Sequence, residues 1–263
     1  MPCQYATAIT YTKNYACGAW VDGHLWSLSV EEQFYLLWPA LLMFLQRRHL
    51  LFAVGALVAL APVSRGLEYH WGSRSFTWLT SNIDVLMIGC IAAMALRSSQ
   101  SVRQWLEYRP GVMRAIAVVA LMLPIIFSAH LLIGWFTVLF GPTMQAIAAA
   151  YLICSLVVER RGAGFWFLNT RPVAFLGKMS YSLYLWQELF FASPATYGFS
   201  SAFPLRFPIN IMFALLAGLA SYCLIERPLA RLRSKYRPNE STVRLKLGAG
   251  EDDPMELPNA VTP

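Results

Sequence analysis

Residues 24–45 read HLWSLSVEEQFYLLWPALLMFL, and this mixture of acids with an apolar run decides the fold class. Two adjacent carboxylates (Glu31, Glu32), a glutamine (Gln33) and two serines (Ser27, Ser29) open a segment long enough to cross a bilayer. A charged side chain costs about 2.5–3.5 kcal/mol at the bilayer centre on insertion scales, so acids there face a cavity or a partner. On a helix, Glu31, Tyr35 and Trp38 stand at i, i+4 and i+7 and share one face. Ser29 and Glu32 also stand at capping-box spacing. The stretch therefore reads either as a capped helix start at the outer interface or as a polar face turned inward.

The rest of the chain supports a membrane setting. Of 263 residues, 57% are hydrophobic and 13% charged, with a mean hydropathy of +0.48. Soluble domains carry about 25% charged residues, and a soluble fold of this size could not hide so much apolar surface. Seven apolar segments follow one another, at 25–45, 50–63, 76–96, 115–133, 135–158, 173–192 and 205–225. The second is short for a span. A turn at Gly134, or at Gly141-Pro142, must separate the fourth and fifth. The expected fold is an all-α, polytopic membrane helix bundle of about seven transmembrane helices.

The net charge of +7 could point to nucleic acid, but no basic stripe interleaves with aromatics on a polar segment, so no nucleic-acid partner is expected. Let the sides alternate at each segment. Then 17 of the 21 Lys and Arg share the side of Arg47 and Arg48, and Lys13, Arg65, Arg74 and Arg206 fall opposite. The positive-inside rule then puts the C-terminus in the cytoplasm and the N-terminus outside, provided the short second segment is a real span. Residues 1–24 form an extracytoplasmic segment, 25–236 the transmembrane domain and 237–263 a polar cytoplasmic tail expected to be disordered. Cys3, Cys17, Cys90, Cys154 and Cys223 show no metal spacing, and no metal site is expected. Cys3 and Cys17 could pair in an oxidising compartment.

Residues 24–39 resemble the HxWSLSVEEQFYLLWP signature of the acyltransferase-3 family, bacterial integral-membrane O-acyltransferases that modify carbohydrates and some small molecules. Further blocks follow in family order. NIDVLMIG at 82–89 resembles the family's R-x-D-x-x-x-x-G segment, with Asn82 where Arg is usual. LGKMSYSLYLW at 176–186 resembles LGxxSYSLYLWH, with Gln187 in place of His, and IERP at 225–228 closes the last span. The resemblance implies ten spans, three of them ahead of the HxWSLS motif and carrying an arginine and a presumed catalytic histidine. The chain then corresponds to the last seven, as an N-terminally truncated form expected to transfer little by itself.

The resemblance further implies transfer of an acyl group, acetyl being the expected one, from acyl-CoA to a carbohydrate or surface-glycan hydroxyl. Acyl-CoA (acetyl-CoA) is the donor substrate and no bound cofactor is expected. The location implied is the bacterial cytoplasmic membrane, with the lipid bilayer as surroundings. Such chemistry needs a base, an activated donor and groups that hold the oxyanion. The candidate catalytic residues are Glu31, for acceptor hydroxyls or for orienting a histidine, Tyr35 as a donor from the same face, and Asp84. Asp84 reads equally as the partner of a basic residue on a neighbouring helix, with Gly89 allowing close approach behind it. Candidate substrate-binding residues are His24, Trp26, Ser29, Glu32, Tyr181, Tyr184 and Gln187. Glu188 stands at i+4 from Tyr184. Glu226 and Arg227 read as an ion pair or helix stop before Pro228 at the cytoplasmic end. A transporter or channel with intramembrane acids, and a seven-span receptor, are the competing readings.

Overall fold

A computed structural model describes residues 2–15, 23–72, 76–108, 110–130, 134–159, 162–191 and 205–236. Among these the secondary structure is helical: α1 (Pro2–Ile9), α2 (Leu25–Phe44), α3 (Arg47–His70), α4 (Leu79–Ser98), α5 (Gln100–Tyr108), α6 (Pro110–His130), α7 (Gly134–Val158), α8 (Ala163–Leu168), α9 (Arg171–Phe191) and α10 (Ile209–Ser221). A π-turn (Tyr222–Glu226) then leads into α11 (Arg227–Lys235). The seven expected segments coincide with α2, α3, α4, α6, α7, α9 and α10 with its π extension. The expected tail, 237–263, lies outside the described residues.

The second segment proves to be much longer than its apolar run. α3 has 24 residues, about 36 Å at 1.5 Å per residue. Its last third carries Ser64, Arg65 and Glu68, which hydropathy excludes from a span but which all point into the bundle and are buried. By length and composition alone, three helical stretches qualify as spans: Leu79–Ser98, Gly134–Val158 and Ile209–Arg233. α5 and α6, which meet at 92°, qualify as a fourth only if counted together. α2, α3 and α9 carry the inward-facing polar residues, and those residues lower their hydropathy. Gly134, not Gly141-Pro142, opens α7, and Pro142 lies inside that helix.

Two packing groups result. α3, α4 and α7 pack on one another, α6 packs along α7, and α2 is laid against α4. Phe34, Val54, Ala61, Ile83 and Met87 form the buried apolar centre where α2, α3 and α4 meet. In the second group α9 packs along α10. There a Cβ on Gly218 would stand 3.1 Å from Leu183 Cα, a backbone approach that only glycine permits. Between α6 and α7 a Cβ on Gly141 would stand 3.2 Å from the Pro124 side chain. Gly89, expected to allow close approach behind Asp84, instead faces open space.

The helix starts and stops also differ from expectation in two places. α2 begins at Leu25, and Ser29 lies one turn inside it with its hydroxyl donated to Leu25 O at 3.1 Å, so no capping box forms. Within a helix a serine hydroxyl bonds back to the preceding turn rather than to a free N–H. At the other end, Pro228 does not stop the helix. A proline ring clashes with the carbonyl four residues earlier, here that of Leu224, and the wide π-turn opens the helix there so that it continues to Lys235.

The segment ahead of α2 is tied down by amides. Asn14 and Gln33 exchange hydrogen bonds at 3.1 and 2.9 Å, Gln33 donates to Tyr11 O, and Thr77 donates to Asn14 O. Cys3 is disulfide-bonded and Cys90, Cys154 and Cys223 are free, while Cys17 lies outside the described residues.

Candidate active site

The first polar centre lies between α3, α4 and α7. Arg65 donates to Asp84 Oδ1 at 2.6 Å, Ser81 O at 2.7 Å, Leu139 O at 2.8 Å and Thr143 Oγ1 at 2.9 Å. Asp84 Oδ1 also accepts from the Val85 amide, and Oδ2 accepts from Thr143 at 2.5 Å. Ser81 donates to Glu68, and Ser64 bridges Ser81 and Thr80. Arg65, Glu68 and Asp84 are all within 1% of complete burial. Both oxygens of Asp84 are occupied and no solvent reaches it. Of the two readings of Asp84, this is the geometry of the ion-pair partner. Arg65, expected outside the membrane as a loop charge, is that partner, and Lys13, expected on the same side, is buried too.

A second centre joins the two packing groups where the start of α2 meets α9. His24 Nδ1 stands 2.7 Å from Glu188 Oε2. Tyr184 donates to His24 O at 2.6 Å, contacts Ser27 Oγ closely, and sets its ring edge-on to the imidazole at 5.3 Å. The His24 side chain is 10% exposed, so it is not the wet, interfacial imidazole that its position in the sequence implies. The approach to Glu188 has an ion-pair distance without in-line hydrogen-bond geometry, and neither ring nitrogen has a hydrogen-bond partner among the described residues.

His24 lines a cavity of about 860 Å³ whose polar wall is made by Tyr181, Ser182, Ser221, Glu226 and Arg233. Ser182 donates to Glu226 Oε2 at 2.7 Å, which places Glu226 beside the middle of α9. The expected Glu226–Arg227 ion pair at the helix end is not formed. Glu31 and Glu32 are half-buried, and neither makes a hydrogen bond or ion pair among the described residues. Both lie within electrostatic range of Tyr181, and Glu31 and Glu188 within range of Tyr184.

The sequence-predicted site residues are thus divided. His24 and Tyr181 line one cavity and Tyr184 packs against His24, while Glu31 and Glu32 interact electrostatically with Tyr181 but are not among the cavity's lining. Asp84 sits in the other polar centre, and Ser29 is buried against its own helix. Tyr35 is 57% exposed and, with Trp26 and Gln187, is not among the cavity's lining. Gln187 and Trp26 are otherwise half-buried and exposed no further. The role of Ser27 was not anticipated, although its place three residues after His24 already puts it on the same turn.

Comparison with known proteins follows this geometry. The profile of an acyltransferase domain family matches residues 1–226. O-acetyltransferase OatA of Staphylococcus aureus (strain NCTC 8325 / PS 47) is 28% identical over 223 residues, covering 79% of this chain and 36% of that protein. The putative peptidoglycan O-acetyltransferase YrhL of Bacillus subtilis (strain 168) is 30% identical over 175 residues, covering 62% of this chain and 27% of that protein. The chain therefore spans about a third of the length of these curated relatives. No solved structure matches it significantly. With the family profile running unbroken from residue 1 through the signature at α2 to Glu226 at the π-turn, the chain belongs to the acyltransferase-3 family.

Proposed function

We propose that the protein is a multi-pass membrane O-acyltransferase that moves an acetyl group from acyl-CoA to a hydroxyl of a surface glycan of the peptidoglycan type. Family membership and the names of the two relatives support the reaction class and the acceptor class. The seven long helices and the distribution of basic residues support seven spans in the cytoplasmic membrane, N-terminus outside and C-terminus inside.

The observation that carries the mechanism is His24, nine-tenths buried on the cavity wall, with Glu188 at Nδ1 and no hydrogen-bond partner at Nε2. A carboxylate 2.7 Å from one ring nitrogen favours the positive charge that the ring gains when the other nitrogen takes a proton. In this reading the imidazole turns its buried Nε2 into the cavity, and Nε2 takes the proton of the acceptor hydroxyl as its oxygen attacks the thioester carbonyl. The tetrahedral intermediate collapses with cleavage of the carbon–sulfur bond. The thiolate leaves with that proton, and an acetyl ester and CoA result. Tyr181 binds acceptor hydroxyls from the cavity wall, Glu31 and Glu32 act on it electrostatically from α2, and Tyr184 and Ser27 hold the backbone of His24. Asp84 acts with Arg65 to position α4. Tyr35 carries no step.

The test is transfer of labelled acetyl from acetyl-CoA into base-labile ester on glycan, in membranes of cells carrying the gene at its own locus. His24→Ala should lower the rate by about 10²–10⁴-fold, the range of a general base. Undiminished transfer by that variant would remove His24 from the chemistry.

A further inference from the structure

On the other flank of the π-turn lies a second recess, of about 390 Å³, lined by Lys178, Tyr222, Glu226, Arg227, Ala230 and Arg231. Arg227 and Arg231 stand at i and i+4 on α11 and share a face. Lys178 comes from α9, almost fifty residues earlier. Like charges brought together in this way repel unless an anion lies between them. Glu226 is the single acid in the lining, and its Oε2 is occupied by Ser182. Neither Lys178 nor Arg227 has an acid partner among the described residues.

The positive-inside rule accounts for cations on this side of the membrane, but it asks only for charges scattered near span ends. It gives no reason for three of them to converge on one concave site. Arg and Lys arranged around a recess are the ordinary means of holding phosphate, through charge-assisted hydrogen bonds.

The recess also adjoins the large cavity. Glu226 and Ala230 line both. Ser182, bonded to Glu226, and Glu188, beside His24, are six residues apart on α9, about 9 Å at 1.5 Å per residue. A molecule with its phosphates in the recess can pass a flexible arm across the small side chain of Ala230 and extend toward His24.

We propose that this recess is a phosphate site, and that it holds the phosphate-bearing nucleotide end of the acyl-CoA donor. The assignment rests on the donor named under the proposed function and adds to it where and by which residues that donor is held. The expected orientation puts the recess on the cytoplasmic side, where acyl-CoA is available. Phosphate could also be supplied by an anionic lipid headgroup, and the experiment separates the two sources.

The protein is reconstituted in nanodiscs of phosphatidylcholine alone or with phosphatidylglycerol, and CoA, dephospho-CoA and inorganic phosphate are titrated against it. Arg227→Gln should raise the CoA dissociation constant about tenfold, and Arg227→Gln with Arg231→Gln about a hundredfold, with a shallower salt dependence. Dephospho-CoA should bind the wild type more weakly than CoA does, and this difference should shrink in the double variant. Independently of any substitution, CoA should protect Lys178 of the wild type from an amine-reactive reagent, read by mass spectrometry, and inorganic phosphate at equal concentration should not. CoA binding that is unchanged in the variants overturns the site and leaves the donor standing. Protection of Lys178 by phosphatidylglycerol but not by CoA does the same. A wild type that transfers acetyl but binds no CoA overturns the donor, and the site with it.

Discussion

Replacing Arg65 by Met removes the single cation of the α3–α4–α7 centre while keeping most of the apolar stem that the side chain buries. Arg65 and Asp84 are 1% and 0% exposed, so neither can turn to water when its partner is lost. Breaking a buried pair costs about 3–5 kcal/mol, because an uncompensated charge stays behind. The two halves of this pair should not cost the same. Arg65→Met strands two carboxylates, Asp84 and Glu68, and empties four donor positions. Asp84→Ala strands only Arg65, which keeps its bonds to Ser81 O, Leu139 O and Thr143 and lies within electrostatic range of Glu68. Arg65→Met should therefore fall at the upper end of that range, about 5 kcal/mol, and Asp84→Ala at the lower end, about 3 kcal/mol. Substituting both should cost less than the sum of the two by about 1–3 kcal/mol, as expected for coupled neighbours. The measurement is reversible unfolding in mixed micelles on titration with sodium dodecyl sulfate, followed by tryptophan fluorescence. Asp84→Ala costing as much as Arg65→Met, or additive costs in the double variant, would refute the charge assignment.

Two further perturbations probe the other packing group. Gly218→Ala places a methyl 3.1 Å from the Leu183 backbone and should destabilise the α9–α10 pair by about 1–3 kcal/mol. Gly177→Ala on the same helix pair meets nothing within 4 Å and should lie within about 0.5 kcal/mol of the wild type in the same unfolding assay. Glu188→Gln keeps the shape beside His24 but removes the charge, so acetyl transfer should fall by less than with His24→Ala, with the loss in kcat rather than KM.

Much of the helical order is legible in the chain because apolar runs of span length can hardly be anything else, and among the described residues each of the seven runs is occupied mainly by one helix. Membership of the acyltransferase family likewise decides against the transporter and receptor readings. The short reading of the second segment has a physical cause. A hydropathy window averages over all faces of a helix, so it ends a span where polar residues begin even if every one of them points inward. On that reading Ser64, Arg65 and Glu68 fall in a loop, whereas α3 carries them buried into the bundle. Asp84 was open to a correct reading, since a lone acid in an apolar run demands a counter-charge, but only the fold names Arg65, 19 residues away, as the source. His24, Tyr184 and Glu188 illustrate the opposite limit. The i, i+4 spacing shows that the last two share a face, yet their meeting with His24 depends on a contact 160 residues apart in sequence. Gly89 and Gly218 look alike in the sequence, and nothing local shows that only the second lies at a helix crossing.

The π-turn at Tyr222–Glu226 bears on how the gene can vary in length. Such a turn holds one more residue than an α-helical turn and advances the phase of everything after it by about 100°, one residue's share of a 3.6-residue turn. Leu224 faces outward, 76% exposed, and exchange there for another apolar residue should be drift without consequence. Loss of a single codon in the same stretch is different. It would rewind the helix, carry Arg227 and Arg231 together off the face they share with Lys178, and alter no residue type at all. Selection on this segment should therefore act on residue number more strictly than on residue identity.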